Sequence, residues 1–398
     1  MILTRLQLQH FRNYRKLDLA LGPGSTLLHG SNGAGKTNIV EAIFTLATTK
    51  SFRTRTDREL IDRGFDPLDS PFPFARLQGD VESDGTPIRI EILVSGQSEG
   101  VAGSARKQFR LNGAPKRASD VVGQIKAVLF SPADVEIVSG SPSARRRYLD
   151  LMLCQVDPTY LRLLQSYTRI VQQRNGVLTR LGGRHQPALL EVWDQKLVAE
   201  GSRLIIRRET MMRSLAASAR EMYTLLSSGA EIFEVAYAPS LAEGLPANDG
   251  DDTRRLARIC EAFSRSLESE TRRNRDLRVT PVGPHRDDLT LAIDGEPLLA
   301  YGSRGQQRTA ALALRMAEAR YIFNQTSRQP VLLLDEALGE LDEQRRDALL
   351  TFVRKYPQVV LTGTTPAAYP EEFRRESVLL RVNSGEIEAA SALEQLAQ

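Results

Sequence analysis

Gly30-Ser31-Asn32-Gly33-Ala34-Gly35-Lys36-Thr37 decides how the rest of the chain is read. The eight residues fit the phosphate-loop pattern G-x-x-x-x-G-K-[ST] without a mismatch. Thr26, Leu27 and Leu28 before it read as a buried strand, and Ile39, Val40, Ile43, Phe44 and Leu46 after it fall at helical spacing. Strand, glycine loop and helix are the parts an anion cradle needs. Gly30, Gly33 and Gly35 let backbone N–H groups turn inward without Cβ clashes. Those donors and the positive helix end collect phosphate oxygens. Lys36 is placed to reach the β- and γ-phosphates, and Thr37 to ligate Mg²⁺.

The 398 residues suffice for two or three domains; 41% are hydrophobic and 26% charged, an ordinary globular composition. No apolar run is long enough to span a membrane, and Met1-Ile2-Leu3-Thr4-Arg5-Leu6 alternates like a strand rather than a signal peptide. Cys154 and Cys260 read as buried thiols of a reducing cytoplasm, with a disulfide left open. The four histidines are scattered, without zinc spacing. The formal charge is +4 and the pI about 9.1. Between Arg145 and Arg278 stand 22 Lys and Arg against 17 Asp and Glu, so this third holds the positive surplus. Such a surplus fits either nucleic-acid contact or solvated mixed-charge helices.

Residues 2–9, 16–21, 74–82, 88–95 and 106–111 read as strands of an antiparallel set, and 127–130 as a short buried strand. Long helices follow. Tyr160, Leu164, Tyr167, Val171, Leu178 and Leu181 form one stripe, interrupted by Arg174 and ended by Gly182-Gly183. A second runs from Leu190 to Leu225 and a third from Leu256 to Leu267, after a polar loop at 244–252. This predicts an inserted arm of antiparallel helices of roughly 20 to 35 residues, about 30 to 50 Å long. Strands return at 289–293, 331–334 and 359–361, the last two continuously apolar as buried parallel strands are.

Val331-Leu332-Leu333-Leu334 runs into Asp335-Glu336. The strand is expected to deliver Asp335 beside the phosphate loop as a second Mg²⁺ residue, with Glu336 polarising the attacking water. Glu340-Leu341-Asp342 repeats the acidic pattern. Earlier, Ser303, Gly305 and Gln306 open a helix from Ala310 to Tyr321; a Ser-x-Gly there caps the helix and offers donors to an anion. Phosphate loop, helical insertion, Ser-x-Gly-Gln, then strand-Asp-Glu is the order of ATP-binding-cassette heads. In such heads ATP bridges a head-to-tail dimer.

The chain resembles the RecF family over nearly its whole length. Residues 132–142 with Arg145-Arg146-Arg147-Tyr148-Leu149-Asp150 look like the family's first signature, and Gly283-Pro284-His285-Arg286-Asp287-Asp288-Leu289 like its second. Phe11-Arg12-Asn13-Tyr14 and Ser51-Phe52-Arg53-Thr54 also match, with Arg12 and Asn13 as candidate nucleotide contacts. The resemblance implies an α/β ABC-type ATPase head (1–130 and 279–398) with a mainly helical lobe (131–278). It implies ATP-dependent homodimerisation, slow hydrolysis, binding of single-stranded and gapped DNA, and work with RecR and RecO in loading RecA and in the SOS response. Arg145, Arg146 and Arg147 at the lobe junction and Arg272, Arg273 and Arg275 are the candidate DNA contacts, each equally readable as a solvated face. Two departures stand out. The strand ends in Asp335-Glu336 where the family often has two aspartates. Leu361-Thr362-Gly363-Thr364-Thr365 has no histidine, so a γ-phosphate contact there falls to threonine hydroxyls or is absent. The alternatives are an SMC-like head, a transporter ATPase subunit and a cassette-type nuclease.

Overall fold

The structure, a computed structural model, describes the chain apart from residues 55, 66–71, 97–104, 183–185, 187, 228, 230, 247–250, 340 and 390–398 and the side chains of 252, 275 and 389. Gly183, Glu340, part of the 244–252 loop and the Arg275 side chain therefore lie outside the described residues. The chain divides into two compact units, Met1–Asp134 with Arg315–Gln398, and Val135–Leu314. The expected lobe ended at residue 278; the observed second unit extends 36 positions further and includes a small sheet.

The first unit holds two six-stranded sheets. The strands are β1 (Ile2–Phe11), β2 (Tyr14–Ala20), β3 (Gly24–His29), β4 (Phe74–Ser83), β5 (Thr86–Gly96), β6 (Ala105–Leu111), β7 (Ala114–Lys116) and β8 (Ala127–Phe130). In the second unit lie β9 (Phe233–Ala238), β10 (Asp288–Ile293) and β11 (Glu296–Pro297), and back in the first β12 (Val331–Asp335), β13 (Gln358–Gly363), β14 (Ser377–Asn383) and β15 (Glu386–Ala389). One sheet of the first unit is antiparallel, in the order β2-β1-β4-β5-β6-β7. It shows the alternation read from sequence: Leu3, Leu6 and Leu8 point inward while Arg5, Gln7 and Gln9 do not.

The other sheet runs β15-β14-β3-β13-β12-β8. All its neighbouring pairs are parallel except β14 with β15. Leu332, Leu333, Val360 and Leu361 are 0% exposed, as strands covered on both faces require. Each such side chain contributes on the order of 1.5–3 kcal/mol by leaving water. The strand between β3 and β12 is β13: Thr362 lies opposite Leu28 on one side and Asp335 on the other. β14 and β15 were not anticipated.

The second unit is built on the helices Pro158–Leu181, Ala188–Ser227 and Asp252–Ser269. The middle one has 40 residues, about 60 Å, longer than expected. The first buries Tyr160, Leu163, Tyr167, Ile170, Arg174 and Leu178. Its inward stripe thus passes through Leu163 and Ile170 instead of Leu164 and Val171, and Arg174 belongs to it. Arg174 donates to Asp194 at 2.6 Å and to Asn274 and Thr280 at 3.0 Å. Cys154 is buried, Cys260 half-buried, and both are free thiols. Among the described residues no helix is long and apolar enough to cross a membrane.

Candidate nucleotide-binding site

The phosphate loop leaves the C-terminal end of β3, and Gly35 precedes the helix Lys36–Thr48 with φ 121°. Glycine is required there for space as well as for φ. A Cβ on Gly35 would stand 2.7 Å from Asn13 Nδ2 and from the Tyr14 hydroxyl, and one on Gly30 2.2 Å from the Val382 carbonyl oxygen. The loop is therefore walled by Asn13-Tyr14 and by β14. Asn13 Nδ2 donates to the Ala34 carbonyl at 3.0 Å, and Tyr14 donates to that of Gly35 at 3.1 Å. The turn between β14 and β15 closes the third side, with Gly385 N donating to the Ala34 carbonyl at 3.0 Å. Ser31, Asn32 and Gly33 are exposed, so the mouth of the loop faces solvent.

Lys36 is 3% exposed, and its ammonium donates to the carbonyls of Gly30 at 2.8 Å and Ser31 at 2.9 Å. It is thereby folded back across the loop that would hold phosphate. Thr37 donates to Asp335 Oδ1 at 2.8 Å, which joins the two motifs. Burial pushes the Asp335 carboxyl above its usual value, opposed by the hydroxyls of Thr37 and Thr362. A buried carboxylate short of positive charge beside a threonine hydroxyl is an all-oxygen donor set, which suits Mg²⁺. Glu336 follows with its side chain exposed and its backbone left-handed at φ 53°. Among the described residues there is no cluster of three or more His, Cys, Asp or Glu side chains fit for a metal, so the site is lean in carboxylates.

Arg12, also at positive φ (57°), donates from Nε and a terminal nitrogen to the two Glu41 oxygens at 2.9 and 2.7 Å. Glu41 is fully buried on the helix after the loop and also accepts from Ser51. Arg53 donates to Asn38 Oδ1 at 2.7 Å, and Asn38 donates to Asn13 Oδ1 at 2.7 Å. The Phe-Arg-Asn-Tyr and Ser-Phe-Arg-Thr stretches thus form one polar collar around the start of the helix. Glu41, Asn38 and Gly385 were missed from sequence, and Thr362, read there as a candidate phosphate contact, bonds Asp335 instead. Only Gly385, in an Asn-Ser-Gly turn, carried a local signal.

The structure assembles the loop, Asp335, Glu336, Arg12 and Asn13 in the first unit. Ser303, Gly305 and Gln306 belong to the second. There Ser303 Oγ accepts from Gln306 N at 3.2 Å while Ser303 N donates to Gln306 Oε1 at 2.8 Å, a capping box opening the helix Arg304–Thr326. Gln306 Nε2 also donates to Glu231 at 2.8 Å, so both amide groups are engaged within the unit. A Cβ on Gly305 would meet only Ser303 Oγ, at 3.8 Å.

Of the candidate DNA contacts, Arg145 is corrected. It is 4% exposed, with its guanidinium on both Asp288 oxygens at 2.6 and 2.9 Å and on the Gly140 carbonyl at 2.9 Å. Arg146 is half-buried and donates to the Asp287 carbonyl at 2.7 Å. Arg147, Arg272 and Arg273 are exposed. In the second signature Arg286 is exposed but Asp287 is internal, 1% exposed, and accepts from Ser240 N at 2.7 Å and from the Tyr237 hydroxyl.

The profile of the RecF/RecN/SMC N terminal domain matches residues 2–380. The chain is 41% identical to the DNA replication and repair protein RecF of Chloroflexus aurantiacus, over 97% of this chain and 99% of that one. It is 39% identical to RecF of Thermomicrobium roseum over 98% and 100%. A solved structure of the recombination mediator protein RecF with ATP, in the RecFOR pathway, is 28% identical with a TM-score of 0.84, covering 98% of this chain and 97% of that one. An Smc head bound to the C-terminal winged helix domain of ScpA, at 14% identity and a TM-score of 0.53, shares the fold alone.

Proposed function

The chain belongs to the RecF family of DNA replication and repair proteins, with the ABC-type ATPase head fold, and on that premise we propose that it is an ATP-operated, DNA-binding switch. The observation that carries the proposal is the hydrogen bond from Thr37 to Asp335, which joins the phosphate loop to the acidic end of β12 in the parallel sheet. The loop N–H groups and Lys36 bind the β- and γ-phosphates; Thr37 Oγ1 and Asp335 hold Mg²⁺. The ion, when bound, neutralises charge that develops on the phosphate oxygens. Glu336 orients a water for in-line attack on the γ-phosphorus and accepts its proton. The bond from that phosphorus to the bridging oxygen breaks, leaving ADP and phosphate. Ser303 and the N-terminus of its helix serve the nucleotide of a second copy, so ATP already held by one head drives its dimerisation with another. Hydrolysis is slow and ends that state.

Single-stranded and gapped DNA are the polyanions this switch acts on, with exposed arginines of the second unit, Arg147, Arg272 and Arg273, as contacts. RecR and RecO are the proposed partners, in keeping with the RecFOR pathway named for the solved relative; RecA loading and a part in the SOS response are proposed from the family resemblance alone. The experiment is sedimentation of the full chain with ATP, Mg²⁺ and gapped DNA, each added and withheld, beside Lys36→Met. The wild type is expected to dimerise only with ATP and to bind DNA in that state, and Lys36→Met to do neither. ATP affinity unchanged in Lys36→Met would sink the assignment of the loop.

A further inference from the structure

We infer that Thr362 is the positioning residue of this centre, one hydroxyl that holds the Asp335 carboxylate and fixes the backbone from which Glu336 projects. The inference rests on the nucleotide reading of the site and assigns a role that neither motif contains.

Thr362 lies on β13, the strand between the one that enters the phosphate loop and the one that ends in Asp335. It is 1% exposed. Its Oγ1 donates to Asp335 Oδ1 at 2.9 Å and accepts from the Glu336 N–H at 2.9 Å. The polarity of this relay is decided by chemistry. A backbone N–H can only donate, so the hydroxyl accepts from Glu336, and its single proton is left for an ionised carboxylate, which can only accept. The relay is therefore complete with Asp335 in the charged form that a divalent cation needs. Thr37 donates to the same oxygen, so two hydroxyls converge on Oδ1.

Glu336 needs the other half of the relay. Its φ of 53° is a conformation that non-glycine residues hold only with support from their surroundings. The bond from its N–H to Thr362 supplies that support at the residue itself and sets the direction of its side chain. Thr362 is in turn held by sheet register and by the Tyr369 hydroxyl, which donates to its carbonyl at 3.0 Å. The remaining threonines of the segment do something else: Thr364 is exposed, and Thr365 accepts from Ala367 N at 3.3 Å as a cap. The sequence expectation of threonine hydroxyls reaching phosphate thus gives way, for Thr362, to an internal role.

The test uses the full-length chain with Thr362→Val, which keeps the shape and removes the hydroxyl, and Thr362→Ser, which keeps the hydroxyl. ATP affinity is titrated in EDTA and across Mg²⁺ concentrations, turnover is followed at steady state, and melting is recorded without ligand. Loss of an outer partner of a metal-holding group typically weakens metal affinity or activity about 10- to 100-fold. Thr362→Val is expected to bind ATP in EDTA like the wild type, to need that much more Mg²⁺, and to lose kcat with KM little changed. Thr362→Ser is expected to recover most of both. If Thr362→Val melts below the assay temperature, Thr362→Cys, of similar volume with a weak donor, carries the same expectation. Wild-type Mg²⁺ dependence and kcat in Thr362→Val, or equal losses in the serine and valine variants, would overturn the inference. A wild type without Mg²⁺-dependent ATP binding would instead overturn the nucleotide reading beneath it.

Discussion

Thr37 and Asp335 are 298 positions apart and share one hydrogen bond of 2.8 Å. Each was legible because its motif is local: a glycine loop before a helix, an apolar strand before acids. What was not legible at this scale depends on neighbours the sequence does not order. Thr362 gains its role because β13 lies between two strands from opposite ends of the chain. Glu41 gains its role because Arg12, in a turn, falls back onto the helix after the loop. The arginines at 145–147 make the same point. Successive helix positions turn by about 100°, so Arg145 is buried on Asp288 while Arg147 is exposed. Glu336 is the residue whose chemistry is most separable from binding, because its side chain is exposed and Asp335, not Glu336, bonds Thr37. Glu336→Gln keeps the shape and removes the proton acceptor. ATP affinity is expected to hold while single-turnover hydrolysis falls roughly 100-fold or more. Wild-type hydrolysis by this variant would move the water-orienting role to another group.

At the scale of elements, strands with clean alternation or continuous apolar runs were read to within a few residues. β14 was missed because its pattern is broken: Leu380 and Val382 are buried, but Val378 is 55% exposed. The helices were found, but their inward faces were set by polar residues that an apolar stripe cannot announce. Arg208 is 1% exposed on the 40-residue helix. It donates to Asp150 at 2.7 Å, to the Tyr160 hydroxyl at 2.9 Å and to the Pro284 carbonyl at 2.6 Å, and lies 3.8 Å from Asp287. Residues from both signature stretches therefore meet on one guanidinium, inside the second unit. His285 of the same stretch is held neutral, pushed by burial down to about 4, with Tyr167 and the Thr280 carbonyl on its two nitrogens. Removing one partner of such a network leaves a buried charge uncompensated, at a cost of about 3–5 kcal/mol. Arg208→Met is thus expected to lower the denaturant midpoint by that equivalent. ATP affinity of whatever remains folded should be unchanged, since no residue of the phosphate loop touches this network. A change below about 1 kcal/mol would mean that water or a shifted side chain replaces the guanidinium.

For the whole molecule, the decisive feature is that the motifs read from sequence fall in different units. Lys36, Thr37, Asp335 and Glu336 lie in the first unit, and the Ser-x-Gly helix start lies in the second. Ser303 Oγ accepts from Gln306 N, which leaves its proton for an outside acceptor, and Gly305 has open space where a side chain would stand. An exposed helix start with a free hydroxyl proton is what a partner's γ-phosphate would meet in the proposed dimer. Ser303→Arg would place a long side chain at this exposed helix start and add a positive charge, so lost attraction for phosphate cannot explain its effect. It also removes a cap, which costs on the order of 1 kcal/mol; Ser303→Ala removes the same cap without adding bulk and separates the two causes. Both variants are expected to bind ATP as monomers like the wild type. Ser303→Ala should still dimerise with ATP, more weakly, whereas Ser303→Arg should stay monomeric and hydrolyse nothing. Mixing Ser303→Arg with Lys36→Met leaves one composite site with an intact loop facing an intact serine, so the mixture should regain part of the activity that each lacks alone. Sedimentation at matched concentrations, with ATP turnover of the mixture, reads all three. Dimerisation of Ser303→Arg at the wild-type concentration would rule out the head-to-tail arrangement and leave an ATPase working alone or through another face.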